Sequence, residues 1–146
     1  MRDISRRTAV AGLVSLPVVA STSAAMSLPV VRLSDEGVIL RSIEVVANYF
    51  GVSAVQLAEP VWRRKIVTPR AKAIYLAYEL TGKRVVEVGA YFGKDCEASA
   101  WYPLLRAYEL GAADRTVAAE LRGLAQLIDP VRASRVDWDA RPRIRR

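Results

Sequence analysis

The sequence predicts an all-α fold, a small helix-turn-helix bundle, and three observations carry that expectation. Apolar residues recur at helical spacing along most of the chain, Gly and Pro punctuate the ends of these stretches, and a short apolar stretch meets a longer one across a tight glycine turn. At 146 residues and 52% hydrophobic, the chain can build one core of ordinary size but not two substantial ones.

The elements follow in order. Ser34-Asp35 caps a first helix whose Ile39, Ile43, Val46 and Phe50 share one face, with Arg41 and Asn48 toward water and Gly51 at its end. Ser53 opens a short second helix with Gln56 three residues on, a capping-box spacing, and Pro60 stops it. Val61 to Val67 has no helical period and reads as a basic loop. Thr68-Pro69 then starts a third helix in the favoured order of N-cap and proline, with Ile74, Ala77 and Tyr78 inward and Gly82 beyond its end.

Val85, Val88, Gly89 and Phe92 give a two-turn helix that stops at Gly93. Glycine in a helix interior costs about 1 kcal/mol relative to alanine, so Gly89 implies close approach by another helix. That helix is expected from Cys96 to Leu110, with Asp95 as N-cap and Trp101, Leu104, Leu105 and Tyr108 on one face. Pro103 objects to it, because an interior proline removes a hydrogen bond and costs about 3 kcal/mol or kinks the helix. Asp114 caps a last amphipathic helix carrying Val117, Leu121, Leu124, Ala125 and Ile128, a stripe that implies a partner surface. The expected organisation is therefore a signal-like or disordered arm over 1–33, the helix-turn-helix domain over 34–110, an amphipathic helix over 111–130, and a mobile basic tail over 131–146.

Composition limits the chemistry. There are 22 Lys and Arg against 15 Asp and Glu, a formal charge of +7 and a pI of about 10.0, which favours an anionic partner such as nucleic acid or an acidic membrane. With no histidine, the chain cannot form a Ser-His-Asp triad, a Cys-His pair or a histidine-bearing zinc site. Cys96 is the one cysteine, so an intrachain disulfide, a Cys-x-x-Cys site and a four-cysteine zinc are all excluded. Gly82-Lys83 resembles the end of a nucleotide-binding loop, but Ala77 stands where the first glycine is needed and Arg84 replaces the magnesium-binding hydroxyl. The expectation is a non-enzymatic protein with no cofactor, no metal and no small-molecule substrate.

The N-terminus raises a separate question of location. Arg2, Arg6 and Arg7 precede an apolar stretch from Thr8 to Ala20, and small residues Ser21 to Ala25 follow, which is the order of an export signal. Ser5-Arg6-Arg7-Thr8 is similar to a bacterial twin-arginine signal, and the apolar stretch is too short to span a bilayer, so no stable membrane insertion is expected. The alternatives are a short apolar arm or upstream sequence joined by a misplaced start.

Several stretches together carry a resemblance: Val45-Val-Ala-Asn-Tyr-Phe-Gly-Val-Ser-Ala-Val-Gln-Leu57, Arg63-Arg64-Lys65, Thr68-Pro-Arg70, Ala77-Tyr-Glu-Leu-Thr81, Val85-Val-Glu-Val-Gly-Ala-Tyr-Phe-Gly93 and Lys94-Asp95. In order and spacing, from about Ile43 to Tyr108, this resembles the C-terminal DNA-binding domain of the bacterial replication initiator DnaA, whose fold is a helix-turn-helix of Trp-repressor-like type. The resemblance implies sequence-specific binding of double-stranded DNA, in replication initiation or its regulation or in transcriptional control. The helix after Asp95 would enter the major groove while the basic loop before Pro69 meets the neighbouring minor groove.

On that reading Arg63, Arg64 and Lys65 anchor phosphates or the minor groove, and Arg70, Lys72, Thr81, Lys83 and Arg84 meet phosphates at helix starts and the turn. Lys94, Asp95, Cys96, Glu97 and Ser99 form the reading head. Glu97 has the chemistry to accept from a cytosine amine, but a carboxylate at this position also simply favours the helix dipole. Asp95 reads as an N-cap ahead of a base contact. This chain departs from the family pattern where Asp95-Cys96-Glu97-Ala98 replaces Asp-His-Thr-Thr, where one glycine before Lys94 is missing, and where Trp62 stands at the minor-groove arginine position. DNA binding would place the chain in the cytoplasm on the nucleoid. The alternative is an exported or interaction-only helical module with a basic surface, which uses the last helix for a protein partner.

Overall fold

A computed structural model of the chain describes residues 32–146, and the signal-like segment lies outside them. Seven helices follow among the described residues: α1 Asp35–Phe50, α2 Ala54–Ala58, α3 Arg64–Thr81, α4 Val85–Ala90, α5 Glu97–Ala113, α6 Arg115–Ile128 and α7 Pro130–Ala133. The fold is all-α, as the periodicities require.

The termini of these helices are chemically legible. Ser34 Oγ accepts from the Gly37 N–H at 3.1 Å, Asp35 and Glu36 place negative charge in the first turn, and Gly51 closes α1 in the left-handed region at φ 68°. At α2, Ser53 and Gln56 exchange capping-box bonds, with Val55 N–H to Ser53 Oγ at 3.2 Å and Ser53 N–H to Gln56 Oε1 at 3.4 Å. Asp114 accepts from the Thr116 N–H at 2.8 Å and starts α6.

Helix α3 is the centre, in contact with every other helix of the bundle. Ala71, Ala73, Ile74, Tyr75, Leu76, Ala77 and Tyr78 are all buried, so this stretch has no solvent face. The sequence pattern suggests a one-sided helix because alanines on the other sides add little hydrophobic signal, yet their small size is what lets neighbours close in from several directions. Helix α3 also starts earlier than expected: residues 64–67 are helical rather than loop, and buried Ile66 is the anchor that draws them in. Pro69 falls inside the helix and deprives only the carbonyl of exposed Lys65 of its donor. Pro103 is likewise carried inside α5, which continues to Ala113.

Two other expectations change. The apolar stripe of α6 is covered by this chain itself, since Leu121, Leu124, Ala125 and Ile128 are buried where α6 packs on α1, α3 and α5. The segment after Val131 is anchored rather than mobile. Arg132 donates to Asp35 Oδ1 at 2.7 Å, to the Leu33 carbonyl at 3.1 Å and to the Leu80 carbonyl at 3.2 Å, tying the start of α1 to the end of α3. Trp138 donates to the Ala133 carbonyl at 3.2 Å and sits edge-on to Tyr75 with ring centroids 6.1 Å apart. Arg41, expected in water, instead reaches the last carbonyls of α6 at Leu127 and Ile128, each at 3.0 Å, where a cation suits the negative end of the helix.

The glycine inside α4 has the cause its sequence context suggests. A Cβ on Gly89 would lie 2.6 Å from the Ala100 Cβ, so α4 and α5 cross there with no room for a methyl group. Gly89→Ala should therefore destabilise the chain by about 1–3 kcal/mol, despite the better helix propensity of alanine. Urea unfolding would show it as a lower midpoint at unchanged slope.

Candidate nucleic-acid interface

Helix α4, the turn at residues 91–93 and helix α5 form the helix-turn-helix. The turn closes through Gly93 at φ 70°, and the Lys94 N–H returns to the Gly89 carbonyl at 3.0 Å. A side chain at Gly93 would be strained in backbone and would also meet Pro60, whose nitrogen lies 2.8 Å from the ideal Cβ position. That contact presses the turn against the chain just before Arg63. Sequence-distant parts of the expected interface, the basic stretch and the start of α5, are thereby brought to one end of the bundle.

The start of α5 differs by one residue from expectation. Cys96, not Asp95, is the N-cap, and its extended backbone receives Ser99 Oγ at 3.4 Å on the N–H while the Ser99 hydroxyl donates to the Cys96 carbonyl at 2.9 Å. Asp95 sits exposed one position earlier. Hydrogen bonds from Ser99 hold the exposed Cys96 thiol below its ordinary pKa. Burial, reinforced by the nearby Arg70 charge, lowers Lys94. Glu97 is ion-paired with Arg146, Nε to Oε2 at 3.3 Å.

The other edge is the start of α3. Arg63 is its N-cap without a side-chain capping bond, Arg64 and Lys65 occupy its first turn, and no acidic residue lies there. All three are exposed and form no ion pair among the described residues. Cations at the positive end of a helix dipole are intrinsically unfavourable, a cost that an external anion would relieve. Trp62 projects beside them, 72% exposed.

The remaining cations divide sharply. Arg70, expected at a phosphate, is 4% exposed and caps α2 and the following loop: it donates to the Leu57 carbonyl at 3.0 Å, Gln56 at 2.8 Å and Val61 at 2.9 Å. Lys72 is buried between Glu120, with which it is ion-paired, and the Phe50 ring, whose centroid lies 4.8 Å from Nζ. Both leave the proposed contact set, because a helix surrounded on all sides turns its polar residues inward and must satisfy them there. The Thr81 hydroxyl donates within its helix to the Ala77 carbonyl at 2.7 Å and accepts from the Lys83 N–H at 3.3 Å. Arg84 is exposed and pairs with Glu87 at 3.3 Å, so it reaches a phosphate only by competing with that carboxylate. Lys83 is partly exposed.

Sequence reading missed Arg145 and Arg146, which it placed in a mobile tail. Their signal was faint: Val136, Trp138, Pro142 and Ile144 are interleaved with the arginines, without a period that would define an element.

The separation of roles is measurable. Arg70→Ala removes donors from three carbonyls and should cost about 2–4 kcal/mol of stability. Arg64→Ala, at an exposed position, should stay within about 0.5 kcal/mol of the unaltered chain. Denaturant titration of both variants distinguishes an architectural arginine from a surface one.

A family model described as "Bacterial dnaA protein helix-turn-helix" matches residues 41–98, from within α1 to the second residue of α5. A chromosomal replication initiator protein DnaA from Thermus thermophilus is 33% identical over 87 residues, 60% of this chain and 20% of that protein. The Cereibacter sphaeroides DnaA is 28% identical over 126 residues, 86% of this chain and 28% of its own length. The Mesorhizobium japonicum DnaA is 32% identical over 85 residues, 58% of this chain and 17% of its own length. This chain thus spans less than a third of the length of the relatives it matches. Residues 41–98 of this chain are similar to the helix-turn-helix of bacterial DnaA proteins.

Proposed function

We propose that this protein binds double-stranded DNA, with the first residues of α5 in the major groove and the Arg63-Arg64-Lys65 edge on the adjacent backbone or minor groove. The observation that carries the proposal is the contact of Gly93 with Pro60, which seats the turn against the chain leading into that exposed basic edge. A helix has the width to enter a major groove, and arginine and lysine are drawn to phosphates and to the negative potential of a narrow minor groove. The contact set is Arg63, Arg64 and Lys65 with Lys83, Arg84 and Lys94, and the reading head is Asp95, Cys96, Glu97 and Ser99.

Likeness to replication initiators supports a role in replication initiation or its regulation, on the nucleoid; transcriptional control is the neighbouring reading. The function is one of binding, without bond chemistry. Base preference would come from Cys96 and Ser99, with Glu97 held in its ion pair to Arg146, a set unlike the family's Asp-His-Thr-Thr, so the target sequence should differ from that of the family pattern.

Charge reversal at Arg63, Arg64 and Lys65 together should abolish binding to duplex DNA in a fluorescence anisotropy titration. Reversal leaving affinity unchanged would overturn the proposal. Single neutralisation of Arg64 should weaken binding to all duplexes alike and reduce the slope of log K against log salt by about 1, the share of one phosphate contact.

A further inference from the structure

The last four residues, Arg143 to Arg146, reach both helices of the helix-turn-helix, at Val85 of α4 and Glu97 of α5. The Tyr78 hydroxyl, on buried α3, donates to the Arg143 carbonyl and accepts from the Arg145 N–H at 2.8 Å. The Arg145 guanidinium lies over the Tyr78 ring, 3.8 Å from its centroid, and donates to the carbonyls of Tyr78 and Lys83, the latter at 3.2 Å. Its own carbonyl accepts from the Val85 N–H at 3.3 Å, the first residue of α4. One residue further, Arg146 faces Glu97, the first residue of α5, with Nε and Nη2 each 3.3 Å from a carboxylate oxygen.

We propose that this C-terminal strap is part of the DNA-reading unit, with Arg145 as the positioning residue and Arg146 as the cation that masks the Glu97 carboxylate at the mouth of the reading helix. The inference rests on the duplex-binding reading above and adds a specific electrostatic device to it. Glu97 and Asp95 place two carboxylates where a helix would enter between phosphate strands, and an unmasked carboxylate there opposes approach. The Arg145 side chain, held by stacking and by two carbonyls, fixes the chain direction so that Arg146 arrives at Glu97. The Arg146 side chain is itself 76% exposed, so the pair stabilises the fold little and its effect falls on the approaching polyanion.

The test is a double-mutant cycle on the intact chain: Arg146→Ala, Glu97→Gln and the pair, titrated at low salt with a mixed-sequence duplex. Arg146→Ala should weaken binding about three-fold or more, and the loss should fade as salt screens the exposed charges. Glu97→Gln should tighten binding, and Arg146→Ala should then cost little in the Glu97→Gln background. Arg146→Ala binding like the unaltered chain would overturn the inference. So would an equal loss in both backgrounds, which would make Arg146 a direct phosphate contact independent of Glu97. Either result leaves the duplex-binding reading standing, whereas an unaltered chain with no affinity for DNA removes both. Denaturant midpoints of the same variants should coincide with that of the unaltered chain for Arg146→Ala, so a binding loss is not a folding loss.

Discussion

Enclosure of α3 on all sides is the constraint from which the rest of the structure follows. A helix with no solvent face must satisfy every polar group it carries inside the protein, and α3 carries Arg70 and Lys72 in its buried part. Arg70 therefore gathers carbonyls from α2 and the loop after it, and Lys72 pairs with Glu120 of α6 against the Phe50 ring. These bonds fix α2, α6 and the approach to α3 relative to one another. The start of α3, left outside the enclosure, is where Arg63, Arg64 and Lys65 meet water.

Among the described residues, the arginines and lysines divide between those tied to carbonyls or carboxylates and those left open to solvent. Arg41, Arg70, Arg132 and Arg145 all donate to main-chain carbonyls near helix ends or in loops. A planar guanidinium with several donors suits that task, because one side chain can serve two or three carbonyls at once. The cations outside these duties offer charge to a partner: Arg63, Arg64 and Lys65 cluster at the start of α3 with Lys83 and Lys94 about the turn, while Arg106, Arg115, Arg135 and Arg143 are exposed singly elsewhere. Total charge predicts the sign of a partner, while the distribution of hydrogen bonds decides which cations remain open to one.

Much of this was legible in the amino-acid order. The caps Ser34, Ser53 and Asp114, the stops at Gly51 and Gly82, and the close approach at Gly89 are all local chemistry, and each stands in the structure where its spacing implies, whereas α4 ends at Ala90, ahead of Gly93. What was not legible depends on partners distant in sequence. The start of α3 moves to Arg64 because Ile66 finds the core, and Arg70 leaves the surface because carbonyls nine to fourteen residues away surround it. The ordered tail was hidden for the same reason: Tyr78 and Arg145 are 67 residues apart, and no periodicity connects them.

The central claim is that one end of the bundle, where the turn meets the basic start of α3, is the surface that meets duplex DNA. Backbone amide chemical-shift mapping of the intact chain during titration with a mixed-sequence duplex tests it most directly. The account predicts the largest shifts at residues 62–65 and 94–99, with the α6 and α7 amides nearly unmoved. Shifts confined to α6 and α7, or none at saturating DNA, would contradict it.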